Sequence, residues 1–318
     1  MRKNTNSKNA GTHMSEQRIT ELKELARQAR LAVARLIHRA GSGHIGGDFS
    51  EAELVTVLYH EILNVSPKDF AKPTAEGEIF GADYTRKNAN LNRDRFLLSK
   101  GHCIEMLLVT LAERGFFPAS ALDDYLTKGS CLIGHPSRNI PGIEFNTGAL
   151  GHGLGVAVGM ALAGKLDGRN YLTWTIMGDG EMDEGSVWEA AQAAAHYRLG
   201  NLVAILDRNQ LQNNGPTESL MAHGDVAAKW TAFGWDVTVI PDGNDMAQVL
   251  DILTRVKEKA IVNRNEGKPQ MVIAQTEKGH GISPAAGKWQ WHHHVPSDEE
   301  MKIIEAELAA TFAAGKEG

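Results

Sequence analysis

The sequence predicts an α/β fold in which one parallel sheet is flanked by helices. Strand-like and helix-like segments alternate through the C-terminal half, and we find no internal repeat or proline-rich linker that would divide the chain. Strands that alternate with helices in this way are typical of a parallel sheet with crossover helices on both faces. The later strands are expected at residues 171–177, 202–207, 235–240 and 270–275.

The N-terminal part is predicted to be helical. Residues 1–15 are expected to be a disordered leader, and residues 16–318 are expected to form one domain. A first helix is predicted for residues 16–39, where apolar side chains recur at helical spacing. A glycine-rich loop ends it. Ser50 is then predicted to be an N-cap whose capping box is completed by Glu53.

The remaining elements follow in order along the chain. Residues 66–93 are polar and aperiodic, which predicts a surface insertion. A short strand at 96–99 leads into a helix, and residues 129–155 are expected to be mostly loop. Further helices are predicted at residues 154–166, 184–198, 223–233, 246–263 and 298–314.

Composition excludes several classes of function. The chain has 318 residues and a formal net charge of −6, which gives no electrostatic case for binding nucleic acid or an acidic membrane surface. No apolar run reaches the roughly 18 residues that a membrane span needs, and residues 1–17 lack the apolar core of a secretory signal. Cys103 and Cys131 form no disulfide framework, so both are expected to be reduced in a cytoplasmic protein.

The strongest local signal is a pair of polar residues at the ends of two predicted strands. Asp179 lies between Gly178 and Gly180 after one strand, and Asn209 follows the next strand. In a parallel βαβ unit these two strand ends lie side by side, so a carboxylate and an amide could bind one hard cation. Glycines also let the backbone approach a phosphate closely. We therefore expect a metal–diphosphate site.

Each half of this signal has a plainer interpretation. An Asp-Gly pair alone often marks a simple turn, and the second polar strand end is what favours a binding site. A nicotinamide-binding Rossmann fold is excluded because the first predicted strand–helix turn lacks GxGxxG and its acidic partner.

Residues 178–211 resemble the thiamine-diphosphate signature of the transketolase family. The matching segments are Gly-Asp-Gly-Glu-x-x-Glu-Gly at 178–185, Leu-Gly-Asn-Leu at 199–202, and Asp207-x-Asn209. The resemblance implies the thiamine-diphosphate-binding (PP-type) fold. It also implies that Asp179, Asn209 and the carbonyl of Leu211 bind Mg²⁺ (or Ca²⁺ or Mn²⁺), and that Gly180 donates its amide to the diphosphate.

Earlier motifs occur in the order expected for the family. They are Gly43-His44, Gly101-His102 after Asp94-Arg95-Phe96, Gly134-His135-Pro136, and Thr147-Gly148-Ala149-Leu150-Gly151. By the resemblance, Gly148, Ala149 and Leu150 line the cofactor. In single-chain members, proline usually stands at the position of Ile45.

The histidines have a plainer interpretation too, because a single histidine beside glycine is commonly a solvated turn residue. Three of them in the family's order favour function. In the reaction of this family, a donor ketose loses a hydroxyl proton as its carbon–carbon bond breaks, and an acceptor aldehyde gains a proton as the new bond forms. Neutral imidazoles can move these protons near pH 7. The resemblance places His44 and His135 at substrate hydroxyls, and His102 at the diphosphate and thiazolium side of the cofactor.

Two acidic residues follow the Gly-Asp-Gly turn. Glu181 and Glu184 could simply open a helix, where negative charge is favourable. The resemblance instead places Glu181 at the cofactor. It places Glu184 at an interface, where the family's matching glutamate helps relay charge between cofactor sites.

The segment Trp291-His292-His293-His294-Val295-Pro296 resembles the Trp-His-Gly-x-x-Pro segment of split transketolases, with His293 in place of glycine. Adjacent histidines point in different directions and rarely bind one ion, which argues against a metal site. The resemblance makes His292 a fourth active-site histidine that also contacts the cofactor.

The resemblance covers about the first half of a transketolase. The pyrimidine-binding half is expected in a partner, the C-terminal subunit of a split transketolase, in an α2β2 assembly acting on sugars or sugar phosphates. Two alternatives stay open at this point. One is another thiamine-diphosphate subunit, such as a deoxyxylulose-phosphate synthase-like or dehydrogenase-type chain. The other is a catalytically silent regulatory half-transketolase.

Overall fold

A computed structural model describes residues 6–70 and 90–314 of the chain. The predicted insertion at 66–93 and the predicted leader therefore lie partly outside the described residues. Five strands form one sheet in the order β1-β2-β3-β5-β4, and every neighbouring pair is parallel. The strands are β1 (Arg95–Leu98), β2 (Thr173–Gly178), β3 (Leu202–Arg208), β4 (Asp236–Ile240) and β5 (Gln270–Gln275). The predicted parallel α/β fold is confirmed.

Helices cover both faces of this sheet. They are α1 (Asn6–Ala40), α2 (Ile45–Ser50), α3 (Ala52–Val57), α4 (Ile104–Glu113), α5 (Gly153–Leu166), α6 (Gly185–His196), α7 (Thr217–Leu220), α8 (Val226–Ala232), α9 (Met246–Asn263) and α10 (Asp298–Ala314). A π-helical turn, Leu58–Ile62, continues α3. α9, α10 and β5 have the predicted bounds, whereas α1 begins ten residues before the predicted start.

Two hydrophobic cores lie on opposite faces of the sheet. Along β3, Val203 and Ile205 pack into the core formed with α1, α3, α4 and α9. Their neighbours Ala204 and Leu206 pack into the core formed with α5, α6 and α8. Because alternate side chains of a strand point to opposite faces, a strand buried on both sides must be apolar throughout. That explains the continuous apolar run that marked β3 in the sequence.

The predicted capping box at Ser50 and Glu53 is wrong. Ser50 ends α2, and its hydroxyl donates a 2.6 Å hydrogen bond to Asp207 at the end of β3. The carboxylate of Glu53 accepts two 2.6 Å hydrogen bonds from Arg30 in α1. Both side chains bind distant partners, so the local pattern was overruled by tertiary contacts.

The topology brings the glycine-rich loops to one edge of the sheet. Gly178 of β2 pairs in register with Asp207 of β3, so the segments that follow these strands emerge side by side. Ligand sites in open parallel sheets lie outside the carboxyl ends of the strands. Among the helices of the described residues, none is long and apolar enough to cross a membrane.

Candidate active site

Asp179 lies at the carboxyl end of β2, where a 3₁₀ turn, Gly180–Asp183, begins. Its Oδ1 accepts a 2.9 Å hydrogen bond from the amide of Gly180, and its Oδ2 accepts a 2.8 Å bond from the amide of Gln210. Burial, and then the neighbouring Asp207, raises the pKa of the Asp179 carboxyl. A bound cation would relieve both effects, because it stabilises the ionised form.

The turn after β3 presents two further oxygens. Gln210 has a left-handed backbone with φ of 63°, which is unusual for a residue other than glycine. The residues on either side of it, Asn209 and Leu211, both line the same cavity. The amide nitrogen of Asn209 donates a 3.1 Å bond to Ser50, and its Oδ1 accepts a 3.1 Å bond from the amide of Leu211.

These donors fit the metal that the family resemblance implies. A carboxylate, an amide oxygen and a backbone carbonyl form an all-oxygen set, which suits Mg²⁺. The carbonyl of Leu211 accepts a 2.7 Å hydrogen bond from the ammonium of Lys278, so this oxygen already faces a positive charge. Asp179, Asn209 and Leu211 all line one cavity, which supports their predicted role as ligands.

The same cavity gathers most of the predicted cofactor residues. Its walls carry basic, acidic and apolar side chains from widely separated segments of the chain. They include Gly47, Lys100, His102, Leu150, Asp179, Gly180, Glu181, Asn209, Leu211, Lys278 and His292. A diphosphate would meet glycine backbone and two lysines here.

Three predicted histidines cluster beside this cavity. The ring centroids of His44 and His102 are 5.2 Å apart, those of His44 and His292 are 5.6 Å apart, and those of His102 and His292 are 5.0 Å apart. His135 is also near, with its ring centroid 6.5 Å from that of His44. The structure thus brings together four imidazoles that the sequence separates by up to 248 positions.

The histidines of this cluster are neutral near pH 7. Burial is the largest cause, and it lowers the pKa of His44 to about 4 and that of His292 to about 3. Burial also lowers the pKa of His102 and of His135. A neutral imidazole has one nitrogen that donates and one that accepts, so it can bind a hydroxyl and also exchange a proton with it.

The loop at residues 147–151 borders the cavity through Leu150 and depends on its glycines. A Cβ at Gly148 would lie 2.8 Å from the ring of His135, and one at Gly151 would lie 2.4 Å from the Cβ of Glu184. Gly148 and Gly151 have φ of 144° and 80°, which favour glycine. The resulting turn exposes Ala149 and leaves Leu150 on the cavity wall.

The two glutamates have different surroundings. Glu181 is buried, and it accepts hydrogen bonds from the hydroxyl of Ser99 and from the amides of Gly151 (2.9 Å) and Gly178 (3.1 Å). Its carboxylate therefore joins the cofactor loop to the end of β2. Glu184 precedes α6 and is exposed, which is compatible with its predicted place at an interface.

The sequence interpretation missed two lysines. Lys100 is buried and pairs with Asp207, while Lys278 bonds both the Leu211 carbonyl and Nδ1 of His292, the latter at 2.9 Å. A sequence signal for these lysines was present, because the tripeptide Lys-Gly-His occurs at 100–102 and again at 278–280. Both lysines line the cavity, where their ammonium groups could meet a phosphate.

Comparisons with known proteins show the family of this chain. Residues 22–313 match the family described as the thiamine diphosphate binding domain of transketolase. The chain is 43% identical over 280 residues to one subunit of the apulose-4-phosphate transketolase of Phocaeicola vulgatus, a match that covers 88% of this chain and 91% of that protein. It is 36% identical over 296 residues to the 6-deoxy-6-sulfo-D-fructose transketolase subunit SqwG of a Clostridium species, which covers 93% of this chain and 98% of that one.

Larger transketolases match over part of their length. Human transketolase is 34% identical over 293 residues, which are 91% of this chain and 42% of the human protein. A crystal structure of a transketolase mutant of Pichia stipitis has a TM-score of 0.77 and 26% identity, and the match covers 92% of this chain and 44% of that one.

The family match and the fold define a thiamine-diphosphate-binding α/β domain, whose parallel sheet has the candidate cavity at its carboxyl edge. The chain belongs to the transketolase family and corresponds to the thiamine diphosphate-binding part of its larger members. It is therefore a transketolase-type transferase subunit, and the predicted family membership is confirmed.

Proposed function

We propose that this chain is the diphosphate-binding subunit of a two-chain transketolase, which transfers a two-carbon ketol unit from a ketose or ketose phosphate to an aldose acceptor. The observation that carries the proposal is one cavity that combines the oxygens of Asp179, Asn209 and Leu211 with the imidazoles of His102 and His292. The oxygens suit a metal that would bind the diphosphate, the two imidazoles suit the cofactor, and His44, whose ring is next to both, suits sugar hydroxyls.

The chain's own residues would bind, orient and exchange protons. Asp179, Asn209 and the Leu211 carbonyl would hold Mg²⁺. The amide of Gly180, which donates to Oδ1 of Asp179 in this structure, would donate to the diphosphate instead. When bound, thiamine diphosphate supplies the electron sink that allows a carbon–carbon bond of the ketose to break. His44 and His135 would remove and return the protons of substrate hydroxyls, because both imidazoles are neutral near pH 7.

The partner is the expected C-terminal, pyrimidine-binding subunit, in an α2β2 assembly. Two relatives that match over nearly their whole length are named as subunits of a transketolase, which supports a second polypeptide. Their names specify a sugar phosphate and a sulfo-sugar, so both of these compounds carry an acidic group. A ketose with an anionic terminal group is accordingly the substrate class we propose.

Co-expression with the C-terminal subunit tests this function. We expect ketose-to-aldose transfer only when both chains, thiamine diphosphate and Mg²⁺ are present. Replacement of Asp179 by alanine in the complex should lower transfer by about 100-fold or more, since loss of groups that merely support a metal ligand already costs about 10- to 100-fold. Binding of thiamine diphosphate with Mg²⁺, measured by calorimetry, should weaken in parallel.

The matched control is Asp167→Ala, which removes an exposed aspartate after α5. It should leave transfer and cofactor binding unchanged. Transfer by this chain alone would contradict the two-chain assignment. Undiminished transfer by the Asp179→Ala complex would contradict the metal site.

A further inference from the structure

His293 is the exposed member of the histidine cluster. It follows His292 in the turn after a 3₁₀ helix, Trp289–Trp291. Its ring centroid lies 4.7 Å from that of His44, at an interplanar angle of 75°. This is closer to His44 than the ring of His102, at 5.2 Å. Since His102 and His292 line the cofactor cavity, the imidazoles form a path from that cavity through His44 to solvent at His293.

The two ring nitrogens of His293 differ in their contacts. Nε2 lies 3.3 Å from the hydroxyl of Ser42, two residues before His44. Among the described residues, Nδ1 of His293 has no hydrogen-bond partner. The contact with Ser42 holds the ring of His293 at the edge of the glycine-rich loop, next to the ring of His44.

The surroundings of His44 are polar. Burial is the largest cause that lowers the pKa of His44, and the neighbouring His293, His135 and Lys278 lower it further. The segment of split transketolases that residues 291–296 resemble has glycine at the position of His293. A glycine there would leave the space beside His44 open. In this chain an imidazole fills the space and adds a hydrogen-bonding group.

We propose that His293 is a specificity-determining residue, which binds through Nδ1 the hydroxyl on the carbon next to the reacting carbonyl of the aldehyde acceptor. This rests on the proposed transketolase function. His44 would bind the reacting oxygen, and the adjacent ring of His293 would bind the next oxygen along the chain of the sugar. Loss of His293 should therefore weaken 2-hydroxyaldehydes as acceptors more than simple aldehydes.

The test uses two acceptors that differ only in this hydroxyl. The assembled two-chain complex, loaded with thiamine diphosphate and Mg²⁺, is given hydroxypyruvate as donor and either 2-hydroxypropanal or propanal as acceptor. In His293→Gly we expect the ratio of kcat/KM for 2-hydroxypropanal over propanal to fall about tenfold, because a site that loses a hydrogen bond loses discrimination of this order. The loss should appear in KM for 2-hydroxypropanal, with propanal unaffected.

Two further variants separate recognition from folding. His293→Asn keeps a polar nitrogen near the place of Nδ1, so it should retain most of the wild-type ratio. His294→Gln is the matched control, because His294 faces elsewhere: its Nε2 lies 3.0 Å from Glu300, and its ring centroid lies 4.1 Å from that of Trp291. This variant should keep the full ratio.

The outcomes separate this inference from the function on which it rests. If the wild-type complex transfers the ketol unit and His293→Gly leaves the ratio unchanged, or lowers both acceptors equally, the role of His293 is overturned and the proposed function stands. If the wild-type complex transfers to neither aldehyde, the role of His293 is overturned. The proposed function is overturned as well only if the complex also fails to transfer a ketol unit from a ketose phosphate to an aldose phosphate.

Discussion

At the scale of single residues, the charge of the site depends on two buried lysines. The ammonium of Lys100 pairs with Asp207 and lies 3.3 Å from Glu51, so acidic groups compensate it. The ammonium of Lys278 instead bonds two neutral acceptors, the Leu211 carbonyl and His292. Burial lowers the pKa of Lys278 to about 8. A bound diphosphate would place negative charge directly beside this ammonium.

Replacement of Lys278 by methionine should weaken thiamine diphosphate binding about tenfold, measured by calorimetry at fixed Mg²⁺ and about pH 7. A charge-assisted hydrogen bond contributes roughly this much. The melting temperature should not fall, because an apolar side chain of similar length replaces a buried charge. Lys288→Met is the control, since Lys288 is exposed and only ten residues away. Equal dissociation constants for the two variants would contradict the role of Lys278.

A second residue-scale prediction concerns His60, in the π-helical turn after α3. Burial, and then the positive charges of Arg114 and Arg18, lowers the pKa of His60 from 6.5 to about 4. The unfolded chain takes up a proton near pH 6.5, whereas the folded chain does so only near pH 4. Between these values the unfolded state binds more protons, so stability falls as the pH decreases.

His60→Gln should therefore lose less thermal stability than the wild type between about pH 7 and pH 5, as measured by the shift in melting temperature. The control is His196→Gln, which alters an exposed histidine at the end of α6. It should keep the wild-type pH dependence. The interpretation fails if His60→Gln and the wild type lose the same stability over this range.

At the scale of elements, a local signal set the N-terminus of one helix, whereas tertiary contacts overruled the signal predicted for another. α9 has the predicted bounds, and Asp245 caps its N-terminus: the carboxylate accepts a 2.8 Å hydrogen bond from the amide of Gln248. The capping box predicted at Ser50 did not form, because Asp207 and Arg30 bind its two members. A cap acts where its side chain has no stronger partner elsewhere.

Asp245→Ala should lower the free energy of unfolding by about 1 kcal/mol, the usual effect of removing an aspartate N-cap. The measurement is chemical denaturation of the isolated chain. Asp251→Ala, in the second turn of the same helix, removes an aspartate that forms an exposed pair with Arg255 at 2.5 Å. That control should change stability by less than about 0.5 kcal/mol. A similar loss in both variants would show that the cap has no special effect.

At the scale of the whole molecule, the sheet gathers the glycine-rich loops at one edge, and we expect a partner to complete the site at that edge. Glu184 lies there, exposed beside Gly151 of the cofactor loop. Among the described residues its carboxylate has no hydrogen-bond partner. A partner chain or a second copy of this chain could supply one, as the family resemblance implies.

Glu184→Gln should reduce transfer by the assembled complex about tenfold while leaving thiamine diphosphate binding unchanged, because the carboxylate lies outside the cofactor cavity. Steady-state transfer and calorimetry measure the two properties separately. Glu189→Gln provides the control, since Glu189 is an exposed glutamate on the next turns of α6. Full activity in Glu184→Gln would exclude a part for this carboxylate in the reaction.

The sequence by itself determined the sheet and the order of its strands along the chain, because alternating apolar segments depend only on local pattern. It also predicted that Asp179 and Asn209 meet, since parallel strands that are neighbours end at the same edge. The motifs that carry the family resemblance are short and local, and so they identify the histidines without any knowledge of the contacts that these residues make.

Only the tertiary structure decided the pKa values and the hydrogen-bond partners of these groups. Burial makes the histidines neutral, and burial is a property of the packed core rather than of a motif. The contact between Lys278 and Leu211 joins residues 67 positions apart, and the bond between Ser50 and Asp207 joins residues 157 positions apart. No local pattern encodes such pairs, because their energy exists only once the sheet has brought distant loops to one edge.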